Sequence, residues 1–162
     1  MTKEFYAALS APFRAHPERV RLADKAFTLL VYLAYPALLL WLLLARSPLL
    51  LRAVLTPGVS FAAVSLFRKY YNAPRPYEVL DIDPLIPKDT RGKSFPSRHV
   101  FSVFVIAAVF FRVSPALGAA LGAVGVVIAL IRVIGGVHFP RDVLAGAVIG
   151  LLSGAVGLWL IP

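Results

Sequence analysis

The chain has 162 residues, of which 59% are hydrophobic and none is cysteine. Its mean hydropathy of +0.80 is far above that of a soluble globular domain, and its apolar runs approach the ~20 residues a helix needs to cross a bilayer; the missing cysteines exclude disulfides, thiolate catalysis and cysteine-ligated metals. The net charge of +9 comes from 17 Lys+Arg against 8 Asp+Glu, but no stripe of basic and aromatic residues is long enough for a nucleic-acid groove, so the basic residues are read as flanking spans and meeting anionic headgroups.

These properties predict an all-α, polytopic membrane bundle of about five transmembrane helices. Residues 1–25 stand apart. Phe5, Leu9 and Phe13 are at helical spacing among Lys3, Arg14, Arg19, Arg21 and Lys25, which predicts an amphipathic segment lying in the interface. No signal-peptide core occurs there. Residues 26–162 are expected to form a single membrane-embedded domain. Its first span covers 26–45, with Pro36 as a kink, and a turn at Arg46-Ser47-Pro48 leads to a second over 48–67. Arg52 in this span can snorkel to the interface, and Pro57-Gly58 should bend or break the helix.

Residues 68–96 form the one long polar connection, carrying Pro74, Pro76, Pro84, Pro87 and Gly92. Loops of this length inside a compact domain are usually functional or disordered. A third span runs from Ser97 to Phe111, and a tight turn at Arg112–Pro115 precedes a fourth over 115–134. This one is rich in small residues (Gly118, Ala119, Ala120, Gly122, Ala123, Gly125) that let helices approach closely. Gly135-Gly136 breaks it, and a fifth runs from Phe139 to Leu160, with Gly146, Gly150 and Gly154 recurring every fourth residue. Five spans place the 68–96 loop and the 132–142 turn on one side of the membrane, so the polar residues that interrupt the apolar sequence converge on one mouth. Ionisable groups in such positions are costly and point to function.

The chemistry sits in three clusters. In Arg132-Val-Ile-Gly-Gly-Val-His138-Phe-Pro-Arg-Asp142, a helix start at 138–142 would put His138 and Asp142 one turn apart on the same face. The carboxylate can then fix the imidazole tautomer and leave its other nitrogen free as a nucleophile. The glycine pair lets the chain fold so that Arg132 addresses the same site. In Pro96-Ser97-Arg98-His99, Ser97 is placed as the N-cap of the third span, where unpaired N–H groups suit a phosphate, and His99 can serve as a general acid. In the run from Arg68-Lys69 to Arg75-Pro76, guanidinium forks match phosphate oxygens.

In this order the clusters resemble the type-2 phosphatidic acid phosphatase family, which shares a core with vanadium haloperoxidases. The family's pattern is Lys-x6-Arg-Pro, then Pro-Ser-Gly-His, then Ser-Arg-x5-His-x3-Asp. Here it reads Arg68-x6-Arg75-Pro76, Pro96-Ser97-Arg98-His99 and Ile131-Arg132-x5-His138-x3-Asp142. The resemblance covers roughly 60–150. Arg68 replaces the usual lysine, a charge Lys69 could instead supply; Arg98 replaces the usual glycine, adding bulk and backbone strain; Ile131 replaces serine. The family commonly has six spans, one more than expected here.

The resemblance implies a two-step displacement with no cofactor and no metal. His138 attacks phosphorus to give a phosphohistidine, with Asp142 orienting the imidazole. His99 protonates the leaving oxygen and then activates water. Arg68 or Lys69, Arg75, Ser97 and Arg132 hold the non-bridging oxygens, while Arg98 assists or grips a second phosphate. The substrate would be a lipid phosphate or diphosphate: a prenyl diphosphate, phosphatidic acid or phosphatidylglycerol phosphate. A phosphotransferase using the same phosphohistidine, a non-catalytic protein binding anionic lipid, and a vanadate-dependent oxidase on the shared core are the other readings, the last disfavoured by five spans. The expected partner is the bilayer and its lipids, with no nucleic acid; oligomeric state is not legible. The positive-inside bias places the mouth in the cytoplasm, whereas the family's site commonly faces outward.

Overall fold

The computed structural model describes residues 1–160, over which every regular element is a helix. A short α1 (Lys3–Ser10) and a single 3₁₀ turn lead into α2 (Pro17–Leu44), which returns as α3 (Leu49–Tyr71). The long connection then carries only α4 (Pro76–Val79). After it come α5 (Arg98–Val113), α6 (Pro115–Ile134) and α7 (Pro140–Ala155), whose last described turn, Val156–Leu160, widens to π-type winding. The helix expected over 115–134 is found there, whereas α2 starts at Pro17, well before the apolar run at Ala26.

Among the described residues, four stretches are long and apolar enough to cross a membrane: Pro17–Leu44, Leu49–Val79, Pro115–Ile134 and Pro140–Leu160. The helix read as the third span, α5, has 16 residues and is only about 24 Å long at 1.5 Å per residue, short of a hydrocarbon core of about 30 Å. It is the enclosed helix of the bundle, packed chiefly against α6 and α7 and also touching α2 and α3. Val100, Phe101, Val105 and Val109 along it are at most 1% exposed. The outer helices instead present leucines, such as Leu33 and Leu44 on α2, Leu51 on α3 and Leu144 on α7. In water this surface would be an aggregation liability; in a bilayer it is solvated.

Close approach to α5 depends on the glycines of α7. A methyl group on Gly146 would come within 2.6 Å of the Ser97 carbonyl oxygen, one on Gly150 within 2.6 Å of the Phe101 oxygen, and one on Gly154 would meet Ala108. The same backbone contact that packs the bundle therefore sets α7 beside the start of α5. Of the bend or break expected at Pro57-Gly58, the break does not occur: α3 continues through it. Proline cannot donate to the carbonyl four residues earlier; that acceptor, the Ala53 oxygen, receives the Tyr35 hydroxyl of α2 at 2.7 Å instead. An interhelical bond thus replaces the lost intrahelical one.

Gly150→Ala should lower stability by about 1–3 kcal/mol, the usual cost of overpacking, read as a lowered unfolding midpoint in detergent. Gly122→Ala, at a position that opens onto free space, should leave the midpoint unchanged.

Candidate active site

The loop after α3 is held in place residue by residue. Asn72 ends α3 in the left-handed conformation (φ 43°), and its Oδ1 accepts the Lys93 N–H at 3.2 Å. The Glu78 carboxylate accepts N–H bonds from Arg75 (2.7 Å) and Gly92 (2.9 Å). The buried Arg68 guanidinium donates to three loop carbonyls: Ser94 at 3.1 Å, and those of Lys93 and Pro96. Arg75, also buried, bridges Gly92 O and Val137 O, each at 3.0 Å, and so ties this loop to the turn after α6. That turn closes as the Val137 and His138 amides donate to Arg132 O at 3.2 and 3.3 Å. Gly136, at φ +74°, makes the reversal possible.

The N-terminal segment also belongs to this end. Tyr6 is fully buried, and its hydroxyl donates to Asp83 O at 3.2 Å. Its ring fills the space that a side chain on Gly136 would need. Arg21 Nε donates to Leu85 O at 2.8 Å. Residues 1–25 are thus packed against the site's supporting loop.

His138 is 1% exposed. Its Nδ1 lies 3.6 Å from Asp142 Oδ2 and 3.4 Å from Ser94 Oγ, which itself donates to Asp142 Oδ2 at 2.5 Å. The same carboxylate oxygen accepts the Phe139 N–H at 3.0 Å, capping α7. The Asp142 carbonyl accepts the Ser97 N–H at 2.8 Å. With Nδ1 engaged, Nε2 is the nitrogen left for chemistry. Burial pushes the His138 pKa down to about 4, against the opposing pull of its contact with Asp142. The imidazole is therefore neutral, with a free lone pair, at any physiological pH.

His138 lines a cavity of about 510 Å³ with His99, Arg68, Lys69, Arg75 and Arg98. Six of the nine residues singled out from sequence thus share one chamber, and Asp142 and Ser97 are buried beside it. Ser97 begins α5 without a side-chain cap; its buried Oγ has no partner among the described residues, which leaves it for a ligand. Arg98 is an ordinary first residue of α5, and its backbone carries no left-handed strain. Its guanidinium lies over the Phe61 ring, 5.3 Å from the centroid.

Arg132 is placed differently from expectation. Its Nε lies 3.1 Å from Asp24 Oδ1 of α2 in a buried ion pair, and it is not among the residues facing the chamber. Sequence reasoning missed three participants: Ser94, Asp24 and Lys88, the last on the chamber wall. Ser94 stands just ahead of the Pro96–His99 motif with nothing to mark it, and Asp24 was an isolated acid before an apolar run. His16, the third histidine, lies elsewhere and faces Glu18 at 3.2 Å. Among the described residues, no three of His, Cys, Asp or Glu form a group that could hold a metal ion.

Nitrogen NMR of histidine-labelled protein should find His138 neutral at neutral pH and protonating only near pH 4. In Asp142→Asn the midpoint should move lower still, because the lost carboxylate favours the charged ring.

The chain is similar to several known proteins. The solved structure of LpxE from Aquifex aeolicus is 29% identical, with a TM-score of 0.76 over 96% of this chain and 93% of that one. A PAP2-type phosphatidylglycerolphosphate phosphatase from Bacillus subtilis is 24% identical, with a TM-score of 0.48 over 94% of this chain and 90% of that one. The bacitracin transport permease protein BcrC of Bacillus licheniformis is 35% identical over 69 residues, 43% of this chain and 34% of its own length, so the match spans about a third of that relative. The model of the PAP2 superfamily matches residues 49–162, a range that takes in the whole His138 chamber, and the chain belongs to that superfamily.

Proposed function

We propose that this chain is a membrane-embedded lipid phosphatase that hydrolyses a lipid phosphomonoester or diphosphate through a phosphohistidine on His138, without metal. The carrying observation is a buried imidazole, oriented by Asp142 and Ser94, that lines one chamber with Arg68, Lys69, Arg75 and Arg98. The chamber shares Arg98 and His99 with a second cavity of about 180 Å³, lined by Val31, Phe61, Val103 and Ile128 on α2, α3, α5 and α6. A headgroup in the first and the start of a hydrocarbon tail in the second would meet at His99. Membership of the superfamily over the residues that carry the site supports the same reading.

In the first step the His138 Nε2 lone pair attacks phosphorus and the bond from phosphorus to the leaving oxygen breaks. A protonated His99 gives that oxygen its proton. Burial and the neighbouring cations hold the ring neutral in the free protein, so its proton has to come with the bound phosphate, whose negative charge favours the imidazolium. The phosphorylated ring is now cationic, and Asp142 and Ser94 face its Nδ1–H. In the second step His99 takes a proton from water, the hydroxyl attacks phosphorus, and the P–N bond breaks to return neutral His138. On this reading Ser97 Oγ and the side chains of Lys69, Arg75 and Arg98 donate to the phosphoryl oxygens; a fixed donor of this kind is typically worth ~3–4 kcal/mol in the transition state. Arg68, although on the chamber wall, spends its hydrogen bonds on the loop, and Arg132 spends its charge on Asp24.

Inorganic phosphate release by purified protein, in detergent with EDTA, across lipid phosphates and diphosphates is the direct test. His138→Ala should abolish release, His99→Ala should nearly do so, and Ser94→Ala should lower it about tenfold. Release that fails with EDTA, or survives loss of His138, would overturn the mechanism; transfer only to an added alcohol would mean a phosphotransferase.

The positive-inside bias supports a mouth on the cytoplasmic side. The five basic residues of positions 1–25 lie at the end where α1 packs on the 81–85 loop, against Arg46, Arg52 and Arg112 at the other end. Because the chain has no cysteine, single substitutions report sidedness cleanly. In intact cells an impermeant maleimide should label Ala116→Cys and spare Asp89→Cys; the reverse would place the site outside.

A further inference from the structure

The buried arginines of this chamber are largely spoken for. Arg68 holds three carbonyls, Arg75 holds two, and Arg132 is paired with Asp24. Lys88 is different. It lines the chamber with His99 and His138, and no ion pair or hydrogen bond of its ammonium group occurs among the described residues. The chain just before it is fixed. Leu85 O accepts Arg21 Nε at 2.8 Å, Ile86 N donates to Gly135 O at 3.3 Å, and the Ile86 side chain packs on Gly135. Lys88 is therefore delivered to the chamber by an anchored segment.

Resting on the phosphatase reading above, we propose that Lys88 is a substrate-binding residue that supplies the point charge for the phosphoryl group, while Arg68 serves to position the 93–96 loop. A lysine ammonium is compact and turns to meet any oxygen, whereas a guanidinium is planar and suits a fixed set of carbonyls. The two residues thus divide work that one cation could not do from a single place. The charges around Lys88 favour an anion. Burial, together with Arg75, Arg132 and Arg68, pushes its pKa down to about 8, and only Asp24 pulls the other way. His99 and His138 share the chamber, and the neutral His138 adds no counter-charge. A phosphate dianion would relieve this crowding.

The test compares Lys88→Met and Lys88→Arg with the wild-type protein in detergent. Lys88→Met should lower kcat/KM for phosphate release about 100-fold, in the range for loss of one oxyanion donor, with no change in unfolding midpoint. Lys88→Arg should recover most of the loss. Wild-type kcat/KM should decline as pH rises through about 8, where Lys88 loses its proton, and in Lys88→Arg this decline should move to higher pH because arginine stays charged. Unchanged kcat/KM in Lys88→Met, or an alkaline decline unmoved in Lys88→Arg, would overturn the role. If the wild-type protein releases no phosphate from any lipid, it is the phosphatase reading that fails. Calorimetric titration with inorganic phosphate then still tests Lys88: binding at least tenfold weaker in Lys88→Met sustains it, and equal binding overturns it.

Discussion

Asp142 joins every part of the site. One of its carboxylate oxygens takes the Ser94 hydroxyl and the Phe139 amide and faces His138, while its carbonyl takes the Ser97 amide. The connecting loop, the start of α5 and the start of α7 are thereby fixed to one residue that is fully buried. Burying a carboxylate is costly unless it is hydrogen-bonded. Here the bonds fall on Oδ2, while Oδ1 has no hydrogen-bond partner among the described residues, and the bonds that hold Oδ2 are also the ones that orient His138. Orientation of His138 and closure of the bundle's polar end are one interaction.

The surrounding arginines obey the same constraint. A backbone carbonyl left without a donor in low dielectric costs free energy comparable to a lost hydrogen bond, and a long loop dipping into the end of a bundle carries many. Arg68 and Arg75 together satisfy five of them. Their charges remain in the chamber as a standing positive potential even though most of their hydrogen bonds are used. Arg132 and Asp24 form a buried pair that joins α2 to α6. Removing one member of such a pair would strand the other charge, the costlier outcome. The cationic character of the chamber is thus partly architectural and partly available to a ligand.

Much of this was legible in the sequence because the signals were local. Four of the five expected spans followed from apolar runs, although α2 begins earlier, at Pro17. The α6 limits followed from Pro115 and Gly135, and the four-residue recurrence of Gly146, Gly150 and Gly154 marks the α7 face that packs on α5. The gathering of His99, His138, Arg68, Arg75 and Arg98 followed from topology alone. What was not legible depended on partners distant in the chain. Nothing near Pro57 reveals that Tyr35 satisfies the carbonyl it frees, so a break was expected where the helix continues. Nothing near Arg132 names Asp24, more than a hundred residues away in α2, and the guanidinium expected on phosphate is paired there. Ser94 and Lys88 take their roles from a loop whose path is set by side-chain-to-backbone bonds, which carry no periodic signature.

The shortness of α5 has a consequence for traffic. Its N-terminus carries Ser97, Arg98 and His99, and the helix falls about 6 Å short of the ~30 Å apolar thickness around it. On the phosphatase reading proposed above, a lipid would bring its phosphate to a short helix enclosed by longer ones, and two reactants would meet at one point by different routes: the lipid by diffusion within a sheet, and water through the charged chamber. The cations that gather the headgroup would then also line the path of the released phosphate.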